Sequence, residues 1–225
     1  MTRFYFNLSE IKASHGILED QKVLLSLSRL SYEKNIQAII TGFYEILQTD
    51  KRYRLMIVGD GPYKKELEKL VEQLDIVSYV IFVGEVNNQL VNRYYQLADY
   101  FVSLSDSESQ GLTYIEALAA KTPIIAKQTP YLNQLIDHES LGLLLEDEES
   151  FAEEFMANEY KLKKESELFE TKLMEISSEM FGNKVEAFYE ELIAQHESRR
   201  DKTLINSSKQ LIQTTFKVVK RSIKN

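Results

Sequence analysis

Two glutamates, Glu108 and Glu116, flank seven residues in the stretch Ser105-Asp-Ser-Glu-Ser-Gln-Gly-Leu-Thr-Tyr-Ile-Glu116. The apolar run Tyr100-Phe-Val-Ser-Leu104 before them has the character of a strand. A helical pattern begins behind them at Leu112 or Thr113. Glu108 then lies in a turn, and Glu116 about one turn into the helix, where it projects along the same face. A turn at the carboxyl end of a strand is where open α/β sheets take ligands. The helix start behind it offers unpaired N–H groups and a positive dipole end, an anion seat. Amides for a diphosphate, with a carboxylate on each side for sugar hydroxyls, suit a sugar nucleotide.

A second candidate group lies in Ser28-Arg-Leu-Ser-Tyr-Glu-Lys34, after the apolar run that begins at Val23. Arg29 offers a bidentate fork and Lys34 a mobile point charge, and both are placed to reach a diphosphate. Most Arg–Lys pairs are solvated loop cations. This one sits at a strand end, on a turn into a helix.

The elements that must hold these loops follow from periodicity. Apolar runs at 23–30, 54–59, 80–84, 100–104, 123–126 and 142–145 read as strands. Between them, 34–47 carries Ile36, Ile39, Ile40, Phe43, Ile46 and Leu47 on one helical face. Residues 63–74 and 88–97 are also helical in pattern. Regular alternation predicts an α/β fold, a doubly wound parallel Rossmann-like sheet, and residues 150–200 predict a helical extension. The stretch 127–132 reads as a loop, and 1–20 as irregular or loosely helical.

Taken in order, these stretches resemble the retaining glycosyltransferases of the two-Rossmann-domain (GT-B) type, group 1. Glu108 to Glu116, with Gln110-Gly111-Leu112 inside and Ala117 behind, resembles their E-x7-E motif. Ser28–Lys34 resembles a GRL-x-x-x-K segment with Ser28 in place of glycine. Gly59-Asp-Gly-Pro62 resembles a VGxGP turn, Val83-Gly-Glu-Val86 the loop that meets the nucleobase, and Thr122–Ala126 an xxPVVA strand. Where the family commonly has paired glycines after that strand, this chain has Lys127-Gln-Thr-Pro-Tyr-Leu132. The segments 107–117 and 130–132 further resemble bacterial glucosyltransferases that act on diacylglycerol or glucosyl-diacylglycerol.

The resemblance implies roles. Arg29 and Lys34 would neutralise the diphosphate leaving group, helped by the amides near Leu112 and Thr113. Glu108 would hold the donor sugar and Glu116 the ribose diol. Gly59, Glu85, Val86, Gln110 and Gly111 would complete the donor site. The donor expected is a UDP-sugar, above all UDP-glucose, with a lipid or glycan acceptor. No cofactor or metal is expected, because two cations and a helix end stand where a metal would. Asp106-Ser-Glu108 is only superficially a D-x-D metal motif. The implied organisation is a connector over 1–20, a nucleotide-sugar domain over 21–150, helices over 151–198 and a basic amphipathic tail over 199–225. An acceptor-binding amino-terminal domain would complete the enzyme. Two alternatives remain: a non-catalytic relative that stabilises a partner enzyme, which would be expected to lose Arg29, Lys34, Glu108 or Glu116, and a sugar-nucleotide epimerase of the same paired-domain fold, which would need acid/base residues in the sheet loops.

Composition narrows the remaining classes. The chain has 225 residues and no cysteine, so disulfide frameworks and thiolate metal sites are excluded. Its histidines, His15, His138 and His196, form no spaced ligand pair. No apolar run approaches the ~20 residues of a membrane span, and the first residues show no signal-peptide hydrophobic region. The net charge is −8, yet 199–225 holds eight basic residues against the single acid Asp201. An acidic body argues against a nucleic-acid partner. The tail places Ile205, Ile212, Phe216, Val219 and Ile223 on one stripe with Lys209, Lys217, Lys220 and Lys224 mainly off it, the pattern of an interfacial helix or of a final helix that packs back on an amino-terminal domain; the cationic bias favours the membrane. The expected location is cytoplasmic, peripheral on the inner face of the plasma membrane. Vesicles containing phosphatidylglycerol should therefore co-sediment the full chain more strongly than a chain ending at Ser198. Each cation near the surface contributes about 1 kcal/mol and the difference fades with salt. Equal sedimentation of both chains would remove the tail as the anchor.

Overall fold

The computed structural model describes residues 8–105, 111–164, 167–177 and 190. Two compact units divide the chain, Met1–Leu173 and Met174–Asn225. The second is described only at 174–177 and 190, so the expectations for the tail lie outside the described residues, as do Glu108 and Gln110.

The first unit alternates helix and strand: α1 Leu8–Ser14, β1 Lys22–Leu27, α2 Ile36–Thr49, β2 Tyr53–Val58, α3 Lys64–Gln73, β3 Val80–Gly84, α4 Asn88–Leu97, β4 Tyr100–Ser103, α5 Leu112–Ala119, β5 Ile124–Lys127, α6 Pro130–Leu135, β6 Gly142–Leu145 and α7 Phe151–Asn158. α8, Glu167–Glu175, follows. The six strands form one all-parallel sheet in the order β3-β2-β1-β4-β5-β6. A parallel sheet is covered on both faces, so its inner strands are apolar throughout. Val23, Leu24 and Leu25 of β1 are accordingly all fully buried.

On one face Leu24, Leu55, Ile57, Val102 and Ile125 meet the apolar stripe of α2, Leu67 and Val71 of α3, and Phe151 and Phe155 of α7. The sheet domain expected over 21–150 therefore continues into the helix beyond it. The alternate positions Val23, Leu25, Met56 and Phe101 face the other way, by the two-residue period of a strand. α8 is tied to the body by Lys172 on Asp137 at 2.5 Å and Lys121 on Glu170 at 2.6 Å. α6 corrects the loop expected over 127–132. Thr129 accepts the Leu132 N–H at 3.1 Å and Pro130 opens the helix, the usual start signal of cap followed by proline.

The amino ends of the strands are closed by one carboxylate. Glu159, after α7, takes a hydrogen bond from the Tyr100 hydroxyl at 2.5 Å and an ion pair from Lys22. Edge-on ring contacts of Phe155 with Tyr53 (5.6 Å) and Tyr100 (5.1 Å) exclude water beside it. Burial and the neighbouring carboxylate push both phenols well above their usual range. Glu159 itself is held below its usual value. Burial opposes that shift, and the bonds from Lys22, Tyr100 and Tyr53 outweigh it.

At the carboxyl ends, the loops after β1 and β2 share backbone. Ser28 N–H reaches Val58 O at 3.1 Å, Leu30 N–H reaches Asp60 O at 3.0 Å, and Tyr63 N–H returns to Leu30 O at 3.0 Å. Gly59 permits this approach: its φ is +130°, and a Cβ there would lie 1.9 Å from Ser28 O.

Two stability outcomes follow. Glu159→Gln should lower stability by roughly 1–2 kcal/mol at neutral pH, below the figure for a fully buried pair because both side chains keep some solvent contact. A depressed carboxylate contributes stability that is present above its unfolded pKa and lost as pH falls through the folded one. Denaturation curves of wild type and variant should thus converge below about pH 4.5, the ordinary glutamate value; a constant difference down to pH 2 would refute the role. Gly59→Ala should cost at least about 2 kcal/mol by strain and displacement of the Ser28 loop, read as a lowered melting temperature. An unchanged melting temperature would show that the loops yield easily.

Candidate functional site

β1 and β4 are neighbours, and the chain leaves them in opposite directions, to β2 and β3 on one side and to β5 and β6 on the other. Loops that diverge at such a switch point open a crevice beyond the carboxyl ends of the strands. The Ser28–Lys34 stretch follows β1 and Ser105 follows β4, the two strands that border it. They are joined directly, since Ser105 Oγ donates to Glu33 O at 3.3 Å.

Arg29 is exposed on the first loop. Lys34 is half-buried at the end of a 3-10 turn, Tyr32–Lys34, and Asn35 at φ 51° redirects the chain into α2. Between the two cations lies Glu33, an acid to which the sequence reading gave no role. The Ser31 hydroxyl donates to its carboxylate at 2.7 Å. That bond, then Glu33's own backbone N–H, and then Lys34 and Arg29 hold the carboxyl below its usual value. The structure thus brings Arg29 and Lys34 around one anionic group.

Gly111 stands at the start of α5 with φ 61°, left-handed backbone that favours glycine. The hydrogen bonds of α5 begin with the N–H groups of Tyr114 and Ile115, both to Gly111 O. The amides of Leu112 and Thr113 come before them, in the first turn. Leu112 is 58% exposed and Thr113 half-buried, so this helix start faces solvent at the crevice edge.

Glu116 is exposed, but its carboxylate is oriented: the hydroxyl of fully buried Tyr95 donates to Oε2 at 3.1 Å. Tyr95 is in turn fixed by its ring contact with Phe101 at 5.3 Å and by Thr122 Oγ1 donating to its carbonyl at 2.7 Å. A bond spanning 21 residues leaves no spacing signal, which is why Tyr95 escapes a sequence reading.

Gly59 ends β2, and its N–H donates to Gly84 O at 2.8 Å, tethering the loop that carries exposed Glu85 and half-buried Val86. β3 is three strand spacings from β4. The carboxyl ends of β3 and β4 are therefore on the order of 14 Å apart along the sheet edge. Among the described residues no three His, Cys, Asp or Glu side chains gather as a metal-ligating group, and no helix is long and apolar enough to cross a membrane.

Known proteins are similar to this chain in sequence or in fold. The alpha-monoglucosyldiacylglycerol synthase of Streptococcus pneumoniae is 41% identical over 203 residues, covering 87% of this chain and 44% of that protein. The synthase of the same name from Acholeplasma laidlawii is 31% identical, covering 85% of this chain and 49% of that protein. The chain thus spans about half the length of these curated relatives. Anabaena HepE, crystallised with UDP and glucose, superposes with a TM-score of 0.67 at 18% identity, over 81% of this chain and 51% of HepE. The C-terminal domain of a Francisella tularensis group 1 glycosyl transferase (LpcC) superposes with a TM-score of 0.64 at 20% identity, over 76% of this chain and 92% of that domain. At these identities the likeness establishes the fold. Residues 8–168 match the family profile described as glycosyl transferases group 1, and with most of its length inside that match the chain belongs to this family.

Proposed function

We propose that this chain is the donor-binding part of a retaining glycosyltransferase that takes a hexose from a UDP-sugar, with UDP-glucose as the donor and a membrane lipid as the acceptor. The observation that carries it is the switch-point crevice bordered by a cation pair on the β1 loop and a helix start on the β4 loop. The diphosphate is assigned to Arg29, Lys34 and the Leu112 and Thr113 amides. The leaving group gains charge as the glycosidic bond breaks, and preorganised cations and amides are strongest where charge develops. No metal is required for that task. Glu33 offsets part of the charge of Arg29 and Lys34 and leaves the group net cationic for the incoming anion. Glu116, with Tyr95 on one oxygen, has the other for the ribose diol. Gly59, Glu85 and Val86 are assigned to the nucleoside end, and Gln110, Gly111 and Glu108 to the sugar end.

The lipid acceptor is supported by the names of the two synthases and by the basic tail, and it accords with a peripheral position on the inner face of the plasma membrane. Acceptor binding is assigned to the portion of the relatives that this chain does not span.

Calorimetry with UDP, UDP-glucose and GDP-mannose in the presence of a chelator tests the reading. UDP-glucose should bind without metal, and GDP-mannose more weakly. Glu116→Ala should weaken UDP and UDP-glucose alike, about ten- to a hundred-fold for a lost charge-assisted hydrogen bond. Glu116→Gln, which keeps an acceptor for Tyr95, should separate that loss from any local rearrangement. Glu108→Ala should weaken UDP-glucose and spare UDP. Binding abolished by chelator and restored by magnesium would refute the metal-free site, and equal losses of UDP in both alanine variants would refute the division between the glutamates.

A further inference from the structure

Tyr131 is the first large side chain after the turn that follows β5. Its position is fixed twice, by the Thr129 cap on the Leu132 N–H and by Pro130 at the first helical residue. Leu132 points into the core at 1% exposed, while Tyr131 keeps 46% of its surface exposed. Its ring lies against Gly111, at the start of α5. A Cβ built on Gly111 would stand 2.7 Å from the ring Cε1 and 3.2 Å from the hydroxyl oxygen. Position 111 thus accommodates this ring by having no side chain. The ring comes from the β5 loop and the glycine from the β4 loop, so two adjacent strand ends build one surface at the crevice.

A half-exposed aromatic ring loses favourable burial unless something covers it. Here the cover must be compatible with a site for a diphosphate and a sugar. A pyranose presents a face of C–H groups between its hydroxyls, and a tyrosine offers it a flat apolar surface with a polar rim. We propose that Tyr131 is a specificity-determining residue that reads the hexosyl group of the nucleoside diphosphate hexose, its ring forming the wall beside Gly111 against which the C–H face of the sugar packs. This rests on the donor-site reading above and adds to it a residue that contacts the sugar and neither the nucleoside nor the phosphates. The phenol is already raised above its usual value by partial burial, in keeping with a ring set in a sheltered edge.

The test is calorimetry of UDP and UDP-glucose against the wild-type chain, Tyr131→Ala and Tyr131→Phe, with melting temperatures as a check on folding. Tyr131→Ala should weaken UDP-glucose about ten-fold, the scale of a lost aromatic contact with its buried area, and leave UDP within about two-fold, the selectivity the contact assignment requires. Tyr131→Phe should match wild type for both ligands. Unchanged UDP-glucose binding by Tyr131→Ala would overturn the proposal. So would equal losses for UDP and UDP-glucose, which would place the ring at the phosphates, or a loss in Tyr131→Phe as large as in Tyr131→Ala, which would assign the effect to the hydroxyl. A wild-type chain that binds neither ligand would overturn the donor-site reading itself, whereas failure confined to the Tyr131 variants overturns this inference alone.

Discussion

The carbonyl of Ser28 occupies the space that any side chain at position 59 would need. On that approach of two backbones rests the shape of the carboxyl edge. It lets the loop after β1 take its hydrogen bonds from the turn after β2, which satisfies polar groups that would otherwise need water. Arg29 is then carried on a braced loop, and so is the 3-10 turn that ends at Lys34. The same glycine reaches across to Gly84 and anchors the neighbouring loop. One missing methyl group thus sets the positions of three strand-end loops.

The two ends of the sheet are built on different principles. At the amino ends, ionisable groups are closed in by aromatic rings, and Glu159 satisfies partners from the starts of β1 and β4. At the carboxyl ends, charged groups stay accessible and the backbone is held by glycines and caps. Breaking a partly buried charge network is costly, whereas exposed loops tolerate change. The separation allows the site to vary in sequence while the fold is secured from the far side.

Periodicity reached most of the fold. The bounds of β3, α4 and β6 agree with those read from apolar patterning, and the other strands differ by a few residues at their ends, where pattern is weakest. α6 was missed because its six residues are too few for a period to emerge, although Thr129 followed by Pro130 announced it. At the site, loops at strand ends could be placed from topology alone. The bond from Tyr95 to Glu116 and the ring of Tyr131 on Gly111 could not, because each joins residues about twenty positions apart through packing. Glu33 was visible all along, but its role depends on where Ser31, Arg29 and Lys34 come to rest.

The pairing between β1 and β4 is the shortest ladder in the sheet: two residue pairs, Leu24 with Tyr100 and Leu25 with Phe101, against six between β1 and β2. The contact is extended at its start by Asp99, whose carboxylate accepts the Val23 N–H at 2.8 Å. Each half of the sheet is contiguous in sequence, and this seam alone joins strands about 75 positions apart, so its closure carries the largest entropic cost of loop formation. Subglobal opening in proteins follows such lines of weakest pairing. The crevice lies directly over the seam, and a molecule that engages the loops of both β1 and β4 bridges it. Occupancy and cohesion of the two half-sheets are then thermodynamically linked, so that a ligand bound across both loops acts as a staple for the fold.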